Sequence, residues 1–447
     1  MVDVLEQYIN KVEKRLDAPK VFIEASAYHI VSSLLGRYFR CAFVPGTPSI
    51  GFRPNTWFLL SSIPARTRRS TVINYSTDVY KKTLEDHILT VTKTADNKEK
   101  AIEYVDDTII EEGSPEGIMD HIDATSKETG CYSIISSEFG SVLSNIQNKD
   151  YQKGVSTLLS KLYYGESGTV MLSQRGKDKK GGDPNKGKRH MPEGLYVTMF
   201  AAMQEPKYYL SPIMVGQGLM RRIVLLYVKS ADMSMDTWIP PLDMRAKVED
   251  EFVDNVTSIG NLMKNYYEMT GNIEGRYKLI ETAFLDMKFI NDIAKKNDEK
   301  LLDEESFYNI YMQGYWEHLT KISMLHAIAR SSIVERISSD PFLQVSREDT
   351  RKAHDFLQRA TKYSQEAIDN LGYVDVVMKD VTEPLNRVYN FIKEHQDGLE
   401  RFVLYRKINI PREDLDSLVS QLITQEKIAV EIKQTGGRPA IIYKVIS

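Results

Sequence analysis

Cysteine is scarce in this sequence: there are two, Cys41 and Cys131, far apart and without CxxC spacing. That scarcity excludes a disulfide framework and a zinc ribbon and fits a reducing compartment. No apolar stretch reaches the roughly 18 residues of a membrane-crossing helix. The opening MVDVLEQYINKVEKRLDAPK is charged and helical in pattern, without an apolar signal region. A cytoplasmic, soluble protein is therefore expected. Also missing are a G-x-S-x-G elbow, a dinucleotide-type glycine fingerprint and an HExxH pair, which removes the common hydrolase, dehydrogenase and zinc-protease classes. His318 and His326 do not have zinc-ligand spacing and read as structural. A formal net charge of -4 excludes global basicity, so any nucleic-acid surface must be local.

What is present is an ordinary folding composition, 42% hydrophobic and 27% charged, in a chain too long for one core. Residues 1–50 read as a helical segment in which FIEASAYHIVSSLLGRYFR is apolar enough to pack on a sheet. Over 51–235, short apolar runs alternate with helical patterns: TWFLLSS, TVINYSTDVYKKTLEDHI, CYSIISS, YQKGVSTLLSKLYY, GLYVTMFAA and RRIVLLYV. Such alternation predicts an α/β domain with a largely parallel sheet. Residues 236–378 read as helical and without strands, with Leu319, Ile322, Leu325 and Ala329 on one stripe. In 379–447, one amphipathic helix carries Leu385, Val388, Tyr389 and Ile392, and another carries Leu415, Leu418, Val419, Leu422 and Ile423. They precede strands KIAVEIK and AIIYKVI around TGGRP, an order that predicts a winged helix.

WFLLSSIPARTRRSTVIN is an apolar strand that runs through a short loop into a helix opening on basic and hydroxyl residues. Loops in that setting wrap phosphates with backbone N–H groups, a cation reaches the terminal phosphates, and the next hydroxyl holds magnesium. Against G-x-x-x-x-G-K-[ST], the loop is Pro64, Ala65, Arg66, Thr67 and Arg68, with Arg69 at the lysine, Ser70 at the magnesium-binding hydroxyl, and Thr71 following. Ile63 and Arg68 replace the two glycines, and a plain basic helix start on a core strand is the competing reading. CYSIISSEFGSVLSNI then offers Glu138, past a strand end, as general base for water, with Ser137 where an Asp is usual. In GLYVTMFAAM and just beyond, Thr198 and Gln204 stand at or after a strand end as sensors of a terminal phosphate. Arg221 and Arg222, ahead of the strand in QGLMRRIVLLYV, suit a trans-acting arginine or a phosphate-contacting rim.

In this order, FIEASAYHIVSSLLGRYFR, PNTWFLLSSIPARTRRST, GSPEGIMDHI, IISSEFGSVL and QGLMRRIVLLYV resemble the P-loop ATPases of plasmid, phage and archaeal-element primase-helicase proteins, relatives of RecA-like and AAA-type helicases. The resemblance covers roughly residues 20–375. The phrase Ser114, Pro115, Glu116 is similar to that family's Thr/Ser-Pro-Glu element, and EHLTKISMLHAIARSS with VSREDTRKAHDFLQ is similar to the lid and winged-helix arrangement of minichromosome-maintenance helicases. The resemblance implies an α/β P-loop (RecA/AAA-like) domain, a helical lid subdomain and a C-terminal winged-helix domain. It also implies ATP and Mg2+ as cofactors and a homo-oligomer such as a hexameric ring. By position it implies Arg69 and Ser70 as phosphate and magnesium contacts, Glu138 as catalytic carboxylate, and Arg221 or Arg222 as the arginine acting on a neighbour.

DNA, single- or double-stranded, is the expected partner. Residues 173–192, SQRGKDKKGGDPNKGKRHMP, set seven Lys or Arg against two Asp. They read as a flexible loop in which Lys177, Lys179, Lys180, Lys186, Lys188 and Arg189 track a phosphate backbone, or else as a solvated insertion. Tyr163 and Tyr164 shortly before it offer base stacking or core packing. Glu413, Asp414 and Asp416 open the candidate recognition helix and disfavour major-groove reading. The wing, with Lys433 and Arg438 near Gly436 and Gly437, is expected to reach phosphates or a minor groove, with a protein-binding winged helix as the alternative. Three readings of the whole chain stand: an ATP-driven DNA helicase or translocase of a virus or mobile element, a DNA-binding scaffold on a lapsed ATPase fold, and a transcriptional regulator.

Overall fold

A computed structural model describes residues 3–41, 52–62, 67–92, 98–111, 115–125, 131–140, 142–143, 152–165, 168–171, 188–192, 194–206, 209–210, 214, 218–229, 252–258, 260, 272–273, 276–277, 279–298, 307–330, 342–369, 383–395, 398–408, 415, 419, 422–423, 427–433 and 440–445. The chain divides into two compact units, Met1–Leu371 and Gly372–Ser447.

In the first unit, α1 (Val4–Val12) starts on Asp3, whose carboxylate accepts from the Leu5 and Glu6 amides. It leads to α2 (Lys20–Leu34) and β1 (Phe39–Cys41). Thirteen of the fifteen α2 residues are buried, so this helix belongs to the core. Then come β2 (Trp57–Ser62), α3 (Arg69–Thr92), α4 (Lys98–Asp107), β3 (Ile109–Ile110), α5 (Pro115–Thr125), β4 (Cys131–Ser136) and α6 (Gln152–Tyr164). An antiparallel ribbon of β5 (Gly168–Met171) and β6 (Lys188–Met191) precedes β7 (Tyr196–Met203) and β8 (Val224–Val228).

The apolar runs Trp57–Ser62 and Tyr196–Met203 are buried at every position, as strands covered on both faces must be. They form the centre of a five-stranded, wholly parallel sheet in the order β3-β4-β7-β2-β8. On one face Phe58 and Phe200 meet Tyr28 and His29 of α2, with ring centroids 6.4 and 5.1 Å apart. Side chains alternate across a strand, and Trp57 meets Tyr163 of α6 edge-on at 5.2 Å.

Beyond β8 lie the short ribbon β9 (Asn272–Ile273) and β10 (Arg276–Tyr277), β11 (Ile280–Phe284), α7 (Met287–Asp298), α8 (Phe307–Met312), α9 (Tyr315–Ile328), β12 (Phe342–Val345), α10 (Arg347–Ala360) and α11 (Ser364–Asp369). This stretch is not the strand-free region its sequence predicts. β11 and β12 form a second parallel sheet in the order β1-β11-β12, recruiting residues 39–41 from far upstream. A capping box of Ser346 and Asp349 starts α10.

The second unit has its own core of Val388, Ile392, Leu399, Leu404, Ile408, Leu415, Val419, Leu422, Ile428 and Tyr443. Its elements run α12 (Glu383–Lys393), β13 (Leu399–Glu400), α13 (Arg401–Lys407), β14 (Ile428–Lys433) and β15 (Ala440–Val445). The strands are antiparallel in the order β13-β15-β14. Leu415, Val419 and Leu422 are buried at the spacing of one helical face.

Candidate functional site

Topology selects one place on the main sheet for a ligand. From β2 the chain leaves for the far edge at β3, whereas from β7 it crosses over β2 to reach β8 on the other side. With right-handed crossovers the two neighbouring strands send their connections to opposite faces, opening a crevice at their carboxyl ends.

The residues at that crevice are arranged by short hydrogen bonds. Ser62, the last residue of β2, bonds through its hydroxyl to the hydroxyl of buried Thr67. The intervening Ile63, Pro64, Ala65 and Arg66 lie outside the described residues. Arg68 has a φ of 48°, the one non-glycine positive φ among the described residues, and it stands where the phosphate-loop pattern has its second glycine. Its guanidinium reaches the Asp17 carboxylate at 3.7 Å. Arg69 opens α3; its Nη1 is buried without a hydrogen-bond partner, and burial lowers its pKa against the opposing influence of Glu138 and Tyr209. A buried cationic N–H without an acceptor fits a phosphate oxygen at the head of a helix. Ser70 is exposed and Thr71 half-buried in the same first turn.

Glu138 follows β4 in a turn where its amide donates to Ser136 Oγ at 3.2 Å, and its carboxylate is among the charges that act on Arg69. The next amide, of Phe139, donates to the Ala202 carbonyl of β7 at 2.8 Å. Gln204 directly follows β7, and its carbonyl accepts from Ser61 Oγ of β2 at 2.6 Å. The structure thus brings Arg69, Glu138 and Gln204 to the same end of three neighbouring strands. Ser137 beside Glu138 is half-buried.

Thr198 does not join them. It is the third residue of β7, fully buried, and its hydroxyl meets Ser33 Oγ at 2.7 Å and Ser133 Oγ at 3.2 Å. Ser133 in turn meets His29 Nε2 at 2.6 Å, so Thr198 belongs to a hydroxyl network beneath α2.

Arg221 and Arg222 lie at the opposite, amino end of the sheet, in the turn Met220–Arg222 before β8. Arg222 is buried, donates to the Gly218 carbonyl at 2.5 Å and stacks over Tyr164 at 5.0 Å. Arg221 is half-buried. Tyr163 is core. Near it lies a group the sequence reading missed: Lys321 of α9, 2% exposed, 2.9 Å from Asn55 Oδ1, 3.0 Å from Glu317 and 3.6 Å over the Tyr163 ring. Burial pulls this lysine down to about 8.

Of the expected DNA contacts, Lys188 and Arg189 are in strand β6, opposite Met171 and Val170, rather than in a loop. Lys177, Lys179, Lys180 and Lys186 lie outside the described residues. Lys433 ends β14 opposite Ala440, and Arg438 lies outside the described residues.

Among the described residues no group of three or more His, Cys, Asp or Glu is arranged to hold a metal. Magnesium held by one hydroxyl and phosphate oxygens needs no such cluster. No helix among them is long and apolar enough to cross a membrane.

Fold and site together define a parallel α/β protein with an anion-fitting helix start at its sheet crevice. The chain matches no protein-family model, and no curated protein compared with it matches.

Proposed function

We propose that the chain is a DNA-associated replication-type ATPase on a P-loop (RecA/AAA-like) fold, acting as a helicase or translocase of a virus or mobile element. The observation that carries this reading is the placement of Arg69 after β2 and Glu138 after β4 at one end of the sheet, where the carboxylate acts on the guanidinium, with Arg68 left-handed at the glycine position. The sheet order β3-β4-β7-β2-β8, with the candidate loop leaving a central strand, supports it. Bound ATP and Mg2+ would supply the phosphoryl chemistry. Arg69 and the α3 amides would neutralise the phosphates, Ser70 would hold the metal, and Glu138 would accept the proton of the attacking water.

A homo-oligomeric ring in the cytoplasm belongs to the same proposal: Arg221, half-buried at the far end of the sheet from Glu138, would serve a phosphate on a neighbour, whereas Arg222 is buried against Gly218 and Tyr164. DNA would be tracked by the β5–β6 ribbon and its basic tip, and touched by a C-terminal winged helix through Lys433 and Arg438. One observation favours the runner-up, a DNA-binding scaffold on a lapsed ATPase: Arg68, where glycine would admit a phosphate, is tied to Asp17.

MgATP binding and turnover, with and without single- and double-stranded DNA, separates the two. DNA-stimulated turnover abolished by Glu138→Gln supports the motor. DNA binding indifferent to MgATP, with no turnover, rejects it in favour of the scaffold.

A further inference from the structure

A third side chain acts at the same end of the sheet as Arg69 and Glu138. After β7 the chain makes a tight turn in which the amides of Tyr209 and Leu210 both donate to the Pro206 carbonyl, at 3.0 and 2.8 Å. That turn lays the Tyr209 ring on Gly140, two residues beyond Glu138. A Cβ on Gly140 would fall 2.7 to 2.9 Å from three ring atoms, closer than carbon atoms tolerate, so glycine is what lets the ring approach. Its phenol, with the Glu138 carboxylate, is one of the two groups acting on the half-buried Arg69 guanidinium. Side chains from the ends of β2, β4 and β7 therefore surround one spot, and only one of the three is an acid.

Resting on the nucleotide reading above, we propose that Tyr209 is a specificity-determining residue of this site, donating its phenol hydrogen to the terminal phosphate of a nucleoside triphosphate. The chemistry suits that role. Arg69 supplies charge, Glu138 supplies a base, and neither distinguishes a triphosphate from a diphosphate by a hydrogen bond placed where only the longer chain reaches. A neutral O–H beside a carboxylate gives a donor to an oxyanion without adding a second positive charge.

The test titrates the full chain with fluorescent ADP and with a fluorescent non-hydrolysable ATP analogue, each with Mg2+, for wild type, Tyr209→Phe and Gly140→Ala. Tyr209→Phe keeps the ring on Gly140 and removes only the hydroxyl. It is expected to weaken the triphosphate analogue about tenfold, the worth of one hydrogen bond to a charged group, and to leave ADP within about twofold. Gly140→Ala, which forces the ring away, is expected to give the same selective loss. Wild-type binding with an unchanged Tyr209→Phe, or with equal losses for both nucleotides, overturns the assignment of Tyr209 alone. A wild-type chain that binds neither nucleotide overturns it together with the reading it rests on.

Discussion

Arg68 combines two local effects of opposite sign. A left-handed backbone costs a branched-at-Cβ or long side chain roughly 1 kcal/mol, while its half-buried contact with Asp17 returns at most about that much. Arg68→Gly is therefore expected to leave the thermal midpoint unchanged or raise it, and to tighten MgATP binding by admitting the phosphates. A loss of more than about 1 kcal/mol in urea denaturation would mean that the Asp17 contact outweighs the strain. Lys321 presents the opposite case, a buried charge held by partners that offset only part of its desolvation. Removing it alone, as in Lys321→Met, strands the Glu317 carboxylate and the Asn55 carbonyl oxygen in the core. The expected cost is about 3–5 kcal/mol, and adding Glu317→Gln should recover part of it. Of the two, only Arg68 is marked in the sequence, by its place at the second glycine of the phosphate-loop pattern. Its left-handed backbone is not legible there, and Lys321 lies on a helix whose apolar stripe conceals that its polar face is buried too.

Elements that carry their own pattern are readable, and those that depend on a distant partner are not. β2, β4, β7 and β8 are runs of five to eight mostly apolar residues, and their alternation with helices points to a parallel sheet. β1, β11 and β12 are three to five residues long and become strands only by pairing with distant partners, β1 with β11 across more than two hundred residues and β11 with β12 across about sixty. β13 and α13 are equally short, and no period can be read over two or seven residues. The candidate site divides in the same way: Arg69 and Glu138 follow strands and can be placed by order, but Tyr209 meets Gly140 through the fold alone. The β5–β6 ribbon gives a prediction at this scale. Replacing residues 172–187 with a two-residue Asn-Gly turn should keep the strand register and remove Arg175, Lys177, Lys179, Lys180 and Lys186. The slope of log affinity against log salt for single-stranded DNA is then expected to fall by up to about 3.5, at roughly 0.7 per lost phosphate contact. An unchanged slope would show that the tip does not touch the backbone.

The whole molecule should respond to acid through its larger unit. His29, His318 and His326 are all buried, and burial lowers them from 6.5 to about 3, 4 and 3. Below pH 6.5 the unfolded chain takes up protons that these folded-state imidazoles refuse, so stability falls as pH drops and levels off once the folded values are passed. Each histidine contributes about 1.4 kcal/mol per pH unit in that window. Urea midpoints measured between pH 7 and 5 should decline steeply, and His29→Gln should make the decline shallower. The smaller unit is expected to fold by itself, because its core draws only on residues 388–443. A fragment of 372–447 that melts without a cooperative transition would refute that. Burial of α2 has a consequence for how the protein is made. Its Tyr28 hydroxyl meets His326 at 2.9 Å across 298 residues of sequence, and its ring lies on Phe356. A ribosome adding about 5–20 residues per second leaves this apolar helix waiting for its cover for roughly 15–60 s. During synthesis, therefore, α2 is an apolar helix exposed long before its cover exists, a segment for a chaperone to hold.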